Sequence, residues 1–341
     1  MNRIDLRNCD WLRRALGEYA KTRQFPAIPA DADADTLCRV VEALGLEGFL
    51  YQAEIAAPPW RERATQTLLA NLRALHATTT LFRLLETARI PAAAMRGVVL
   101  AHRDYATPAE RAMRDVDILC PATARPEILR ILSAAGHEHA AVLRSQDVFR
   151  IEGVTFELHW ALLTSKRYRG CVGEGAWLAA RRPFDTPEGR IFTLAPEHEF
   201  FGLVLHACVH HELSIFKQLL DIAIFMARNE LDWPRIADQA RQKGLSRLFA
   251  LTLGLTDALF LLEADACRHF PLPGAMQKRL PALMRLFFGQ DGLREYAARK
   301  AAMLYAAETP ERRFRQILGL FSAAEARDLC RHFRRHLRRL G

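Results

Sequence analysis

The chain has 341 residues, half of them hydrophobic and 26% charged, enough for a sizeable core in two or three domains and too balanced for a disordered or fibrous protein. Its net charge is +9, but five arginines crowd into the tail Arg331-His332-Phe333-Arg334-Arg335-His336-Leu337-Arg338-Arg339, so nucleic acid is an unlikely partner for the surface as a whole. The most apolar window, Leu248 to Leu262, contains Asp257 and is shorter than the roughly 20 residues that span a bilayer.

The start, Met1 to Asp5, lacks the apolar stretch of a signal peptide. The seven cysteines (Cys9, Cys38, Cys120, Cys171, Cys208, Cys267 and Cys330) are scattered, without a Cys-x-x-Cys pair. Their odd number also argues against a disulfide framework or a zinc ribbon. A cytoplasmic protein with reduced thiols is expected.

The first ninety residues read as helices. Asp10 to Tyr19 carries Trp11, Leu12, Ala15 and Leu16 at helical spacing, and Thr36 to Leu50 repeats it with Leu37, Val40, Val41, Leu44 and Leu46. Pro26, Pro29 and the run Asp31-Ala32-Asp33-Ala34-Asp35 form the loop between them. Pro58-Pro59 starts a long helix to about Ala88, with Leu68, Leu69, Leu72, Leu75, Leu81, Leu84 and Leu85 as its apolar stripe. Residues 1–88 are thus a helical N-terminal region.

From Ile90 the texture changes. Pro91 to Met95 is a short apolar strand that turns at Gly97 into a helix over Val98 to Tyr105. Asp115 to Cys120 reads as a strand, and Pro126 to Ala135 as a helix closed by Gly136. His137 to Leu143, Val148 to Glu152 and Val154 to Trp160 read as strands, with Gly153 as a turn. This alternation makes residues 89–195 a compact α/β core. Helices return after Ala195, two of them between Pro196 and Arg228, with later breaks at Asp232-Trp233-Pro234, Pro271-Leu272-Pro273 and Thr309-Pro310. Residues 196–341 are expected to be a helical C-terminal domain. Its basic tail, with Phe333, Leu337 and Leu340 at helical spacing, suits an anionic partner. The fold class is α+β, a small mixed sheet flanked by helical regions on both sides.

Side chains two apart on a strand share a face. Asp115 and Asp117 therefore point one way, and Val116 and Ile118 the other. By the same alternation Thr155, Glu157 and His159 share one face, while Phe156, Leu158 and Trp160 share the opposite one. Neighbouring carboxylates repel unless a cation lies between them. A hard divalent ion is the usual answer, and Mg²⁺ typically takes one or two carboxylates plus substrate phosphates. Phosphoryl or nucleotidyl transfer is the first expectation. Farther on, His206 and His210 lie on one helix face, followed by His211 and Glu212. The metalloprotease order His-Glu-x-x-His is absent, so packing or hydrogen bonding is favoured over a zinc site.

These features also have an order. Met95-Arg96-Gly97-Val98 precedes Tyr105, then come Arg111, Arg114-Asp115-Val116-Asp117, Gly136, Phe156-Glu157-Leu158-His159-Trp160, His206 to His211 and Leu220-Asp221-Ile222-Ala223. The set resembles the uncharacterised bacterial nucleotidyltransferases with the DNA-polymerase-β-like minimal fold, over roughly residues 68–228. That resemblance implies one or two Mg²⁺ ions held by Asp115, Asp117 and Glu157, with Glu157 also a candidate to take the acceptor's proton. It implies an NTP substrate, most often ATP, whose phosphates meet Arg96, Gly97, Arg111 and His159, with Arg114 a weaker candidate. Gly97 would allow close backbone approach, and the following helix N-terminus would favour an anion. Arg96 stands where this family usually has Lys, and Gly97-Val98 where the wider superfamily has Gly-Ser or Gly-Gly.

The activity implied is transfer of an NMP group to an unidentified acceptor, with release of pyrophosphate. The alternative is a catalytically inactive member of the fold that binds nucleotide or a partner in a biosynthetic assembly. A glycosyltransferase using Asp-x-Asp ranks last, because that fold needs an α/β half where residues 1–88 are helical.

Overall fold

Seven strands between Ala93 and Thr193 form one mixed sheet in the computed structural model, which describes residues 6–52, 58–143, 145–163, 165, 168, 170–288, 292–313 and 316. The basic tail 331–339 lies outside the described residues. The strands are β1 (Ala93–Met95), β2 (Val116–Leu119), β3 (Glu138–Val142), β4 (Gln146–Ile151), β5 (Val154–His159), β6 (Arg182–Thr186) and β7 (Gly189–Thr193). Their order is β3-β4-β5-β2-β1-β7-β6. β2 runs antiparallel to β1 and parallel to β5, so Met95 lies opposite Asp117 and Asp117 opposite Glu157. The chain groups into two units, one of Arg23–Phe25 and Gly45–Gly202, the other of Met1–Thr22, Pro26–Leu44 and Leu203–Gly341.

In the sheet unit, the two faces differ as strand alternation requires. Val116, Ile118, Phe156 and Leu158 are fully buried in a core with Leu75, Leu81, Phe82 and Leu85 of helix Pro58–Thr87 and Ile128 and Leu132 of helix Arg125–Ala134. Burying each of these large side chains contributes about 1.5–3 kcal/mol. Asp117, Glu157 and His159 alternate with them along β2 and β5.

The leucine stripe expected on the long helix is split. Leu75, Leu81 and Leu85 are buried, but Leu69 and Leu72 are 50% and 45% exposed. The inward place on that turn belongs to Asn71, which is fully buried and donates from Nδ2 to the carbonyls of Pro108 and Arg111 at 2.6 and 2.8 Å. Those carbonyls flank the short 3₁₀ turn Pro108–Glu110, closed by a Thr107–Glu110 capping box. A loop that would otherwise bury unpaired carbonyls decides which way the helix faces.

The same turn is crossed by helix Glu47–Gln52 at Gly48. A Cβ there would overlap the Ala109 carbonyl oxygen and lie 2.6 Å from Glu110 Cα. Because these neighbours are backbone, Gly48→Ala is expected to destabilise the protein by about 1–3 kcal/mol. A urea unfolding midpoint equal to that of the wild type would refute this close approach.

One further polar centre ties the sheet to its covering helix. Asp147 of β4 has no exposed surface and accepts from Arg125 Nε (2.7 Å) and Nη2 (3.1 Å), His139 Nε2 (2.9 Å) and Trp160 Nε1 (2.7 Å).

The second unit is helical. Leu6–Thr22 packs beside Ser246–Phe260, where Arg13 donates from Nε to the Leu259 carbonyl and from Nη2 to the Ala258 carbonyl. A cation on the last carbonyls of a helix is favourable. Residues His206–His210 form a single π turn. Among the described residues no helix is long and apolar enough to cross a membrane. Among the described residues, Cys38, Cys120, Cys208 and Cys267 are free thiols.

Candidate active site

The hub of the site is Asp117 Oδ1. His159 Nε2 lies 2.7 Å from it and Arg96 Nη1 3.2 Å. His159 Nε2 is also 3.6 Å from Glu157 Oε2. One ligand atom from each of Asp117, Glu157 and His159 falls within 4.8 Å of the others, the sole such group of three among the described residues. Register explains the convergence. Asp117 pairs with Glu157 and Leu119 with His159, so one β2 carboxylate faces two β5 side chains. Asp117 and His159 are buried, while the Glu157 side chain keeps 26% of its surface and opens the cluster to solvent.

The charges there are unbalanced. Burial pushes the Glu157 carboxyl above its usual range, Asp117 and Asp115 push it further, and His159 and a hydrogen bond from Gln146 only partly offset them. A carboxylate raised by its acidic neighbours is one that a nearby cation stabilises. Two carboxylates and one imidazole are a donor set that fits a divalent ion, with the oxygens suited to Mg²⁺ and the nitrogen better to Mn²⁺ or Zn²⁺. His159 Nε2 can donate to Asp117 or, deprotonated, serve as a ligand, but not both at once.

Arg96 occupies the step between β1 and helix Gly97–Arg103, with φ 54° and ψ −120°. Positive φ is uncommon for a residue with a Cβ and marks a backbone held by its surroundings. Its N–H donates to Glu199 Oε1 at 2.7 Å. That amide is therefore occupied and not free for a phosphate. Glu199 belongs to helix Pro196–Leu205 and is 2% exposed. Burial pushes its carboxyl up to about 7, against the pull of Arg103 and of the Arg96 amide.

The other expected residues are distributed around this hub. Arg111 is buried, and a Cβ built on Gly97 would lie 3.0 Å from its Nη1 and 3.2 Å from Met113 Sδ. Gly97 therefore makes room for the Arg111 guanidinium. Asp115 sits just before β2, half-buried and outside the three-residue cluster, and reaches it through its charge on Glu157. Arg114 is exposed. In the helical unit, the His206 ring centre lies 5.3 Å from that of His210 and 4.7 Å from that of His211. They do not belong to the ligand group above.

Two residues were not anticipated. Gln146 supports Glu157 from β4, and Glu199 supports Arg96. Neither carries a sequence signal, since Glu199 is one of two acids in the first turn of an ordinary helix.

Among solved structures, a solution structure of the antibiotic-resistance factor ANT(2'')-Ia is similar at 14% identity and a TM-score of 0.31, covering 57% of this chain and 94% of that one. No curated protein matches. The family described as uncharacterised nucleotidyltransferase matches residues 30–261, more than half of the chain, and the protein belongs to that family.

Proposed function

We propose that the protein is a Mg²⁺-dependent nucleotidyltransferase that moves an NMP group from an NTP, most often ATP in such enzymes, to a hydroxyl, phosphate or amine acceptor. The observation that carries this reading is the convergence of Asp117, Glu157 and His159 within 4.8 Å, with Arg96 on the same carboxylate oxygen. Asp115, Asp117 and Glu157 are the proposed metal-holding set, with His159 turned toward the nucleotide or, deprotonated, toward the metal. A divalent ion bound there would neutralise charge on the phosphate oxygens.

The chain's own groups do the rest. Arg96 and Arg111, beside Gly97, are poised to meet the phosphates and to stabilise the negative charge that spreads over them in the transition state. The acceptor atom bonds to the α-phosphorus, the bond between that phosphorus and its leaving oxygen breaks, and pyrophosphate departs. The acceptor's proton goes to Glu157, the carboxylate that opens the cluster to solvent. A cytoplasmic location accords with the free thiols of Cys38, Cys120, Cys208 and Cys267.

The test is pyrophosphate release from each of the four common NTPs, with Mg²⁺ or Mn²⁺, across a panel of sugar, nucleotide and amine acceptors. Turnover that EDTA abolishes and added metal restores is expected. No release with any NTP across a broad panel would favour the alternative of an inactive member that binds nucleotide or a partner.

A further inference from the structure

We infer that Glu199 is a positioning residue for this site: its buried carboxylate holds the Arg96 backbone at its positive φ and so aims the Arg96 guanidinium. The inference rests on the nucleotidyltransferase reading only for what that guanidinium then does.

Three groups of Arg96 are pinned at once. Its N–H donates to Glu199 Oε1 at 2.7 Å, its carbonyl accepts from Leu100 N–H at 2.8 Å, and its Nη1 lies 3.2 Å from Asp117 Oδ1. The second contact is the first turn of helix Gly97–Arg103, which local sequence supplies. The third belongs to the site itself. Only the first holds the Arg96 backbone from elsewhere in the chain, 103 residues away. A backbone at φ 54° is unfavourable for a residue with a Cβ and persists only where its surroundings over-determine it. Glu199 is the group that over-determines it.

An acid is an expensive choice for that task. Glu199 is 2% exposed, and its Oε2 has no hydrogen-bond partner among the described residues. Burying a carboxyl with one oxygen unsatisfied works against stability. The charged groups that face it are Arg96, Arg103 and Asp104. Arg103 is engaged by Asp104, Nε at 3.0 Å and Nη2 at 2.8 Å from Oδ2. Arg103 still reaches Glu199 through its charge, but the Arg96 amide is the group that Glu199 hydrogen-bonds. Since burial brings the carboxyl to about 7, both of its forms exist near neutral pH. The ionised form grips the amide strongly, and the neutral form accepts through a carbonyl oxygen as glutamine would.

Two variants and two independent readouts test this. In [¹⁵N]arginine-labelled full-length protein, the Arg96 amide resonance, assigned by its loss in Arg96→Lys, is expected to move as pH passes about 7. In Glu199→Gln it should stay fixed. Pyrophosphate release should fall about 10²-fold in kcat/KM for Glu199→Leu. In Glu199→Gln it should stay within about fivefold of the wild type and lose the pH step near neutrality. An Arg96 amide that ignores pH, or that titrates unchanged in Glu199→Gln, would overturn the inference. So would wild-type kcat/KM in Glu199→Leu. If the leucine variant does not fold, the glutamine variant carries the test, because it keeps shape and one acceptor. A wild type that releases no pyrophosphate counts against the proposed reaction alone, and the amide titration still decides whether Glu199 controls Arg96.

Discussion

Asp117→Asn is expected to slow pyrophosphate release by at least about 10³-fold while the protein stays folded. The substitution keeps size and one acceptor oxygen but removes the charge. In the wild type that charge faces Arg96 Nη1 at 3.2 Å and His159 Nε2 at 2.7 Å, and it repels Glu157. Without it, Arg96 loses its ionic partner and Glu157 loses its largest acidic repulsion. Of the clustered donors only the Glu157 carboxylate and the His159 imidazole remain, with Asp115 outside the cluster. The site then lacks both the charge that attracts a metal and the group that holds the arginine in place. Steady-state release at saturating NTP is the measurement, with a circular-dichroism melt as the fold control. A rate within tenfold of the wild type, in a folded protein, would sink the proposed role of Asp117.

How far this site could be read from the chain depends on which contacts are local. Period-two alternation put Asp117 on one face of its strand and Val116 and Ile118 on the other, and the buried core has Val116, Ile118, Phe156 and Leu158 together. What alternation cannot supply is register. Asp117 meets Glu157 because β2 and β5 pair in parallel, although a helix and two strands intervene. The expected family order stood in for that missing information. Alternation gives the face of His159, but not that its Nε2 lies 2.7 Å from Asp117 Oδ1 across the ladder.

The hairpin β6–β7 escaped notice for a related reason. β6 contains Pro183 and two charged residues and lies at the sheet edge, where proline is tolerated and side chains need not be apolar. Glu199 was invisible because its partner is a backbone amide 103 residues away, and nothing in a helix's first turn announces such a contact. The leucine stripe misled at Leu69 and Leu72 because spacing counts apolar residues only. It gives no weight to an asparagine that satisfies two loop carbonyls.

Asp147→Ala is expected to destabilise the protein by about 2–4 kcal/mol, a large share of a typical folding free energy. The residue accepts four hydrogen bonds from three side chains on separate elements. Arg125 is 39% exposed on its side chain, so water recovers part of its share, and the cost falls mostly on the indole of Trp160 and on the cavity. Burial pushes the Asp147 carboxyl up, but hydrogen bonds from Arg125, Trp160 and His139 outweigh it and hold the group below its ordinary 3.8. The unfolded chain therefore binds the proton more readily. Stability from this residue is present above pH 3.8 and drains away as pH falls through the lower folded value. Urea unfolding at neutral pH and near pH 3 measures both effects. Asp147→Asn should lose this acid-dependent part while keeping some of the hydrogen bonding. A loss under about 0.5 kcal/mol for the alanine variant would show that the three donors find water instead. The consequence reaches the candidate site through the chain itself, since Gln146, beside Asp147, supports Glu157, and Trp160 directly follows His159. Loosening Asp147 should therefore blunt activity at temperatures well below the global melt, because the two residues that shape the cluster's open side are anchored there.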